Sequence, residues 1–201
     1  FLTRTYASDS EFWTTVLRGI ESNLSNANYH LAISIMSDSD LKQLNFPQTI
    51  SDSSIKGIIL VEICDKVVCD ALSQFNLPIV SVDMPNVPFE ELNGIDVVTM
   101  ESKKNLKKII NQLIEKGAES FGFVGDLYSP NVSRGFQERY NALSECLAEH
   151  QLPLNQKNCL LHQTPEDFRN FQTTVNNLQA MISLPDVFIC GNDWTAIQLI
   201  Y

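Results

Sequence analysis

Short runs of β-branched and aromatic residues alternate with longer segments of helical period along the whole chain, and that rhythm dictates a parallel α/β sheet. The strand candidates are Leu2 to Tyr6, Leu31 to Met36, Gly57 to Val61, Ile79 to Val82, Ile95 to Val98, Phe121 to Val124, Asn158 to His162 and Val187 to Cys190. Between them, Phe12, Val16, Ile20 and Leu24 recur at helical spacing, as do Leu106, Ile109, Ile110, Leu113 and Ile114, with Gly117 as a C-terminal stop. Both apolar stripes are expected to be core. Met84 to Gly94, with Pro85 and Pro88 among Asn and Glu, reads as a surface loop.

The chain has 201 residues, of which 44% are hydrophobic, enough for one large domain or two small ones. No stretch approaches the ~20 apolar residues of a membrane span. No export signal opens the sequence, so a cytoplasmic address is expected. Fourteen Lys plus Arg against 24 Asp plus Glu give a net charge of -10, the wrong sign for a surface that grips phosphates. The lysines at Lys103, Lys104, Lys107, Lys108 and Lys116 therefore read as a solvated helical face. The five cysteines form no CxxC pair and are expected to be reduced thiols, with neither disulfide nor zinc. The segment Trp194 to Tyr201 begins as a helix and stops without a cap, so the domain is expected to continue.

In open parallel sheets, ligands sit outside the carboxyl ends of the strands, so the residues just after each strand are the ones to read. Asp83 follows one strand, Asn192 and Asp193 follow another, and Ser8, Asp9 and Ser10 with Phe12 and Trp13 follow the first. A carboxylate accepts two hydrogen bonds, Asn both donates and accepts, and an aromatic ring covers an apolar ligand face. Together they suit a small polyhydroxylated ligand. Each also has a plain structural use: Asp83 as a turn former, Asp193 as a helix N-cap, and Phe12 and Trp13 as core. Arg139 lies on a helix with the stripe Phe136, Tyr140, Leu143, Leu147, roughly 60° off its centre, where a guanidinium borders the buried face and needs a partner.

Enzymatic signatures are missing. No GxGxxG follows the first strand, Gly122 to Gly125 lies within a strand, and there is neither a P-loop nor a nucleophile elbow. His30, His150 and His162 are scattered without metal-ligand spacing. No catalysis, cofactor or metal is expected.

The order of pieces resembles the effector-sensing core of the LacI/GalR family of bacterial transcription regulators. "EFWTTVLRGIE", "NYHLAI", "KGIILVE", "LPIVSVD", "LIEKGAESFGFVGD", "RYNALSECLAEHQLP" and "PDVFICGNDWTA" follow one another in the family's order at compatible spacing. The resemblance implies two Rossmann-like α/β lobes of the periplasmic-binding-protein type I fold, residues 1–99 and an incomplete 100–201. The resemblance also implies a helix-turn-helix headpiece lying outside this chain. It places an effector-contacting carboxylate at Asp83 and the family's sugar-hydroxyl acceptor at Asp193, beside Asn192. It also matches Arg139 to the arginine of an Arg-x-x-Gly-aromatic motif. An aromatic residue is common near His162, which makes that side chain a candidate for the ligand shelf. Phe12 and Asp83 would lie on one lobe, Arg139 and Asp193 on the other. The sequence departs from the pattern at Ala142-Leu143 for Gly-aromatic, at Ala118 for His, and at Glu101-Ser102 for Asp-Asn.

By this resemblance the chain binds a sugar-like effector and works as a homodimer. It reaches operator DNA only through the missing headpiece, and it does not contact a membrane. A solute-binding protein of a sugar ABC transporter shares the fold and is the alternative reading, and an α/β enzyme with an unrecognised site is the third.

Overall fold

A computed structural model describes residues 1–4, 11–63, 65–85, 87–127, 134–162 and 171–200, the side chains of residues 11, 162 and 171 excepted. The chain forms two compact units, Phe1–Thr99 and Met100–Tyr201.

The first unit is built on β1 (Leu2–Thr3), β2 (Ser34–Ile35), β3 (Ile58–Val61), β4 (Ile79–Val82) and β5 (Ile95–Val98), with α1 (Glu11–Asn26), α2 (Asp38–Gln43) and α3 (Lys66–Leu72) between them. All strands pair in parallel in the order β2-β1-β3-β4-β5. The sequence alternation anticipated this architecture, because parallel strands need crossover connections and those connections are helices. The core joins Leu2, Ile58, Leu60 and Ile79 of the sheet to Met36, Leu41, Val68, Leu72 and Met84. Strands β1 and β2 are shorter than the runs Leu2 to Tyr6 and Leu31 to Met36 suggested. Residues 5 and 6 lie outside the described set, and β2 is an edge strand with a partner on one side only.

Helix α2 starts with a capping box: the Ser37 hydroxyl accepts from the Asp40 N–H at 3.1 Å, and the Asp40 carboxylate accepts from the Ser37 N–H at 3.0 Å. The stripe of α1 corrects the expectation of core. Phe12 is 45% exposed, and Val16, Ile20 and Leu24 are only half-buried. Periodicity identifies the apolar face of a helix but not how much of it the rest of the unit covers.

The second unit holds β6 (Phe121–Asp126), β7 (Leu160–His162) and β8 (Val187–Cys190), parallel and ordered β7-β6-β8. Its helices are α4 (Lys104–Glu115), α5 (Arg134–Glu149), α6 (Phe171–Gln179) and α7 (Asp193–Ile200). Every residue of the central β6 is buried, as expected for a parallel strand covered on both faces. Phe121, Phe123 and Ile189 pack against Ile110 of α4 and Leu143, Cys146 and Leu147 of α5. Ala142 and Leu143, the family departures on α5, are both fully buried. Gly117 stops α4 as expected: at φ +97° it occupies the left-handed region, its N–H reaches the Ile114 carbonyl at 2.9 Å, and the Ala118 N–H reaches that of Leu113 at 3.1 Å.

Glu101 explains a second departure. Its carboxylate accepts from the backbone N–H groups of Lys103 at 2.9 Å, Lys104, and Asn105 at 3.1 Å, the unpaired donors at the start of α4. The Lys104 and Asn105 N–H groups hold this carboxyl below the usual carboxylate range. The neighbouring lysines form a solvated face, with Lys103 and Lys107 ion-paired to Glu145 of α5 at 2.6 and 2.8 Å. Among the described cysteines, Cys69, Cys146, Cys159 and Cys190 are free thiols; Cys64 lies outside the described residues. Among the described residues no helix is long and apolar enough to cross a membrane.

Candidate functional site

In each unit the strand order reverses beside its first strand: β2-β1-β3 in the first, β7-β6-β8 in the second. The carboxyl ends of the strands flanking such a reversal open a crevice, and ligands of doubly wound sheets bind there.

Phe12 lies in the first turn of α1, the helix that follows β1, and meets Trp13 edge-to-face with ring centroids 4.8 Å apart. Asp83 directly follows β4. Its backbone has φ +73°, its carboxylate accepts from the Met84 N–H at 2.8 Å, and its carbonyl accepts from the Ser81 hydroxyl at 2.6 Å. A turn-forming role for Asp83 is thus real, and it fixes the carboxylate at the strand tip. Ser8, Asp9 and Ser10 lie outside the described residues.

Glu62 was not singled out from sequence. It follows β3 as Asp83 follows β4, and it too is left-handed at φ +58° and half-buried. A non-glycine residue rarely adopts this conformation, and such strain concentrates where function demands a fixed geometry. The signal was available, since Glu62 is the first polar residue after an apolar strand.

On the second unit, β8 delivers Gly191, Asn192 and Asp193. Asn192, rather than Asp193, is the N-cap of α7. Its Oδ1 accepts from the Thr195 N–H at 2.9 Å, while its own N–H donates to the Thr195 hydroxyl oxygen at 3.2 Å. Asp193 falls inside the first turn, exposed, with Oδ1 accepting from the Trp194 N–H at 2.9 Å. The carboxylate is thus spared the capping duty and sits at a helix N-terminus, where the dipole favours its charge.

Arg139 is half-buried on α5 and donates from Nη1 to the Gly191 carbonyl at 2.8 Å, which is the partner its position demanded. Its guanidinium carbon also lies 6.0 Å from the centre of the Phe136 ring. The structure therefore brings Arg139, Asn192 and Asp193 together at the tip of β8 and places Asp83 at the carboxyl end of β4, while Phe12 stands in the first turn of α1. His162 ends β7, opposite Asp126 of β6, and its side chain lies outside the described set. Asp126, 5% exposed at the tip of β6, is a further buried carboxylate that sequence reading missed because it extends a strand expected to end at Val124. Burial of a charged group at a strand tip is costly without partners, and Asp126 has one. Among the described residues no group of three or more His, Cys, Asp or Glu is placed to hold a metal ion.

No family model matches the chain. Catabolite control protein A of Staphylococcus xylosus is 27% identical over 195 residues, covering 94% of this chain and 55% of that protein. The chain thus spans about half the length of the curated relatives it matches. Among solved structures, transcription regulator CcpA of Lactococcus lactis superposes with a TM-score of 0.77 at 14% identity, over 98% of this chain and 69% of that one. A LacI family transcriptional regulator from Lactobacillus casei with bound glucose gives a TM-score of 0.73 at 18% identity, over 99% and 72%. The chain is thus related in sequence to bacterial transcription regulators such as catabolite control protein A, and its fold is that of the solved LacI-type regulators.

Proposed function

We propose that this chain is the effector-sensing core of a LacI-type transcriptional regulator, binding a small polyhydroxylated, sugar-like ligand between two lobes and thereby modulating operator DNA binding. Residues 1–99 are the N-terminal lobe and residues 100–201 belong to the C-terminal one. Asp83 and Asp193 accept hydrogen bonds from the effector's hydroxyls, Asn192 and Arg139 complete the polar set, Phe12 covers an apolar face, and His162 lines the shelf. The observation that carries this reading is that groups suited to sugar hydroxyls stand at the carboxyl edge of each sheet, at Asp83 and at Asn192-Asp193. The glucose bound to the Lactobacillus casei regulator supports the ligand class.

A ligand can shift such a protein only through its differential affinity for two states. In the whole regulator, a two-fold dimer converts that shift into altered spacing of paired DNA-binding domains in the cytoplasm. Exposed apolar side chains on the first unit, Ile33 at 45% and Ile35 at 50%, support pairing through a second copy. The acidic balance of -10 agrees with DNA contact being delegated to a headpiece.

A thermal-shift panel of monosaccharides and nucleosides tests the reading. A ligand present at 100 times its Kd adds about 2.7 kcal/mol of apparent stability, so a true effector raises Tm. A panel in which nucleosides alone raise Tm sinks the sugar assignment.

A further inference from the structure

At the tip of β8 the Gly191 N–H donates to the Val124 carbonyl at 2.7 Å, which ties the strand end to β6, and the Gly191 carbonyl accepts from Arg139 Nη1 at 2.8 Å, which ties it to α5. Between these two anchors the Phe136 ring lies directly on the Gly191 backbone: a Cβ there would stand 2.4 Å from the ring. One residue further on, Asn192 is locked to Thr195 by three hydrogen bonds, of 2.9, 3.2 and 2.9 Å. The peptide that carries Asn192 and Asp193 is therefore held from both sides, and one of the two holds is a side chain 52 residues away in sequence.

A guanidinium presents five N–H donors in a rigid fork, so it can give one to a backbone carbonyl and keep others for a ligand. A carboxylate recognises hydroxyls only when its own geometry is set before the ligand arrives, because ordering it on binding costs affinity.

We propose that Arg139 is a positioning residue: through the Gly191 carbonyl, and seated beside Phe136, it presets the Gly191-Asn192-Asp193 turn of the effector site from helix α5. This rests on the site assignment made under the proposed function, yet the positioning itself is a property of the effector-free chain. Loss of the Arg139 donor frees the turn between its β6 anchor and the α7 cap, while the sheet beneath it keeps its hydrogen bonds.

Amide hydrogen exchange of the effector-free chain tests it. Arg139→Met is expected to speed exchange at Asn192 and Thr195 by about tenfold or more while Phe123, Val124 and Ile110 exchange as in the parent. Arg139→Lys, which restores a donor of similar reach, is expected to recover part of the protection. Parent-like exchange at Asn192 and Thr195 in Arg139→Met overturns the proposal. Should Arg139→Met loosen the whole unit, Arg139→Gln, a polar side chain too short to hold the Gly191 carbonyl, decides: faster exchange confined to the turn supports positioning, and parent-like exchange there overturns it. Glucose titration separates this from the site assignment. If glucose binds, Arg139→Met and Asp193→Ala should lose affinity non-additively, because they act through one turn; strictly additive losses count against positioning. If neither glucose nor any other sugar binds, the site assignment falls and the exchange result still stands on its own.

Discussion

Asp186 and Ser120 hold each other at the entry to β6 and β8: the Ser120 N–H and hydroxyl donate to the Asp186 carboxylate at 2.9 and 2.8 Å, and the Asp186 N–H donates to the Ser120 hydroxyl oxygen at 2.9 Å. The Glu119 N–H adds a further bond to the same carboxylate at 3.1 Å. Two neighbouring parallel strands are thereby clamped at their amino ends, opposite the edge where ligands sit.

The hydroxyl and N–H of Ser120 hold the Asp186 carboxyl below its ordinary range. A depressed folded-state pKa contributes stability above the unfolded value of about 3.9 and loses it as pH falls through the folded value. Asp186→Ala is therefore expected to lower Tm at pH 7, with a deficit that narrows as pH falls below the unfolded value and through the folded one. Thermal melts of parent and variant from neutral to acid pH check this; a Tm gap that does not narrow on acidification contradicts it.

The cap on α7 gives a second expectation. Asn192→Ala removes the acceptor for the Thr195 N–H, and loss of an N-cap costs about 1 kcal/mol. Asp193→Ala removes no cap and should leave stability within about 0.5 kcal/mol, as exposed positions do. Urea denaturation of the two variants distinguishes the residues; equal destabilisation would reverse the assignment of cap and ligand carboxylate.

Gly191 admits no side chain. A methyl there meets Phe136 ring carbons at 2.4 and 2.5 Å, so Gly191→Ala should cost about 1–3 kcal/mol by overpacking. Combining it with Phe136→Leu should recover part of that loss, which a double-mutant cycle of denaturation midpoints would measure. Strict additivity would mean the clash is relieved elsewhere.

The core and surface of the second unit should behave oppositely. Leu143 is fully buried among Phe121, Phe123 and Ile110, and Leu143→Ala is expected to cost about 2–5 kcal/mol. Ile182 is fully exposed, and Ile182→Ala should change stability by less than about 0.5 kcal/mol. Chemical denaturation of both separates them.

What could be read beforehand follows from which physical signals are local. Strands β3, β4, β5 and β8 announce themselves as short runs rich in β-branched residues, and Gly117 as a left-handed stop, because those signals lie within a few residues. The lengths of β1 and β2 depend on partners distant in sequence, which no local pattern contains. Helix α2 has a legible marker in Ser37 and Asp40, three residues apart, but is too short to carry a long apolar stripe. At the site, the rule that picked Asp83 applied equally to Glu62. Whether Asn192 or Asp193 caps α7 turned on one backbone step, and the pairing of Arg139 with Gly191 on a contact across two elements. Side-chain type and strand position were readable; the division of labour between neighbours was not.

Calorimetric titration of the sugar that most raises Tm, into the parent chain and into Asp83→Ala and Asp193→Ala, bears most directly on the effector site. The account predicts a single saturable site in the parent and at least tenfold weaker binding, about 1.4 kcal/mol, in each variant. Affinity in both variants equal to that of the parent would contradict it.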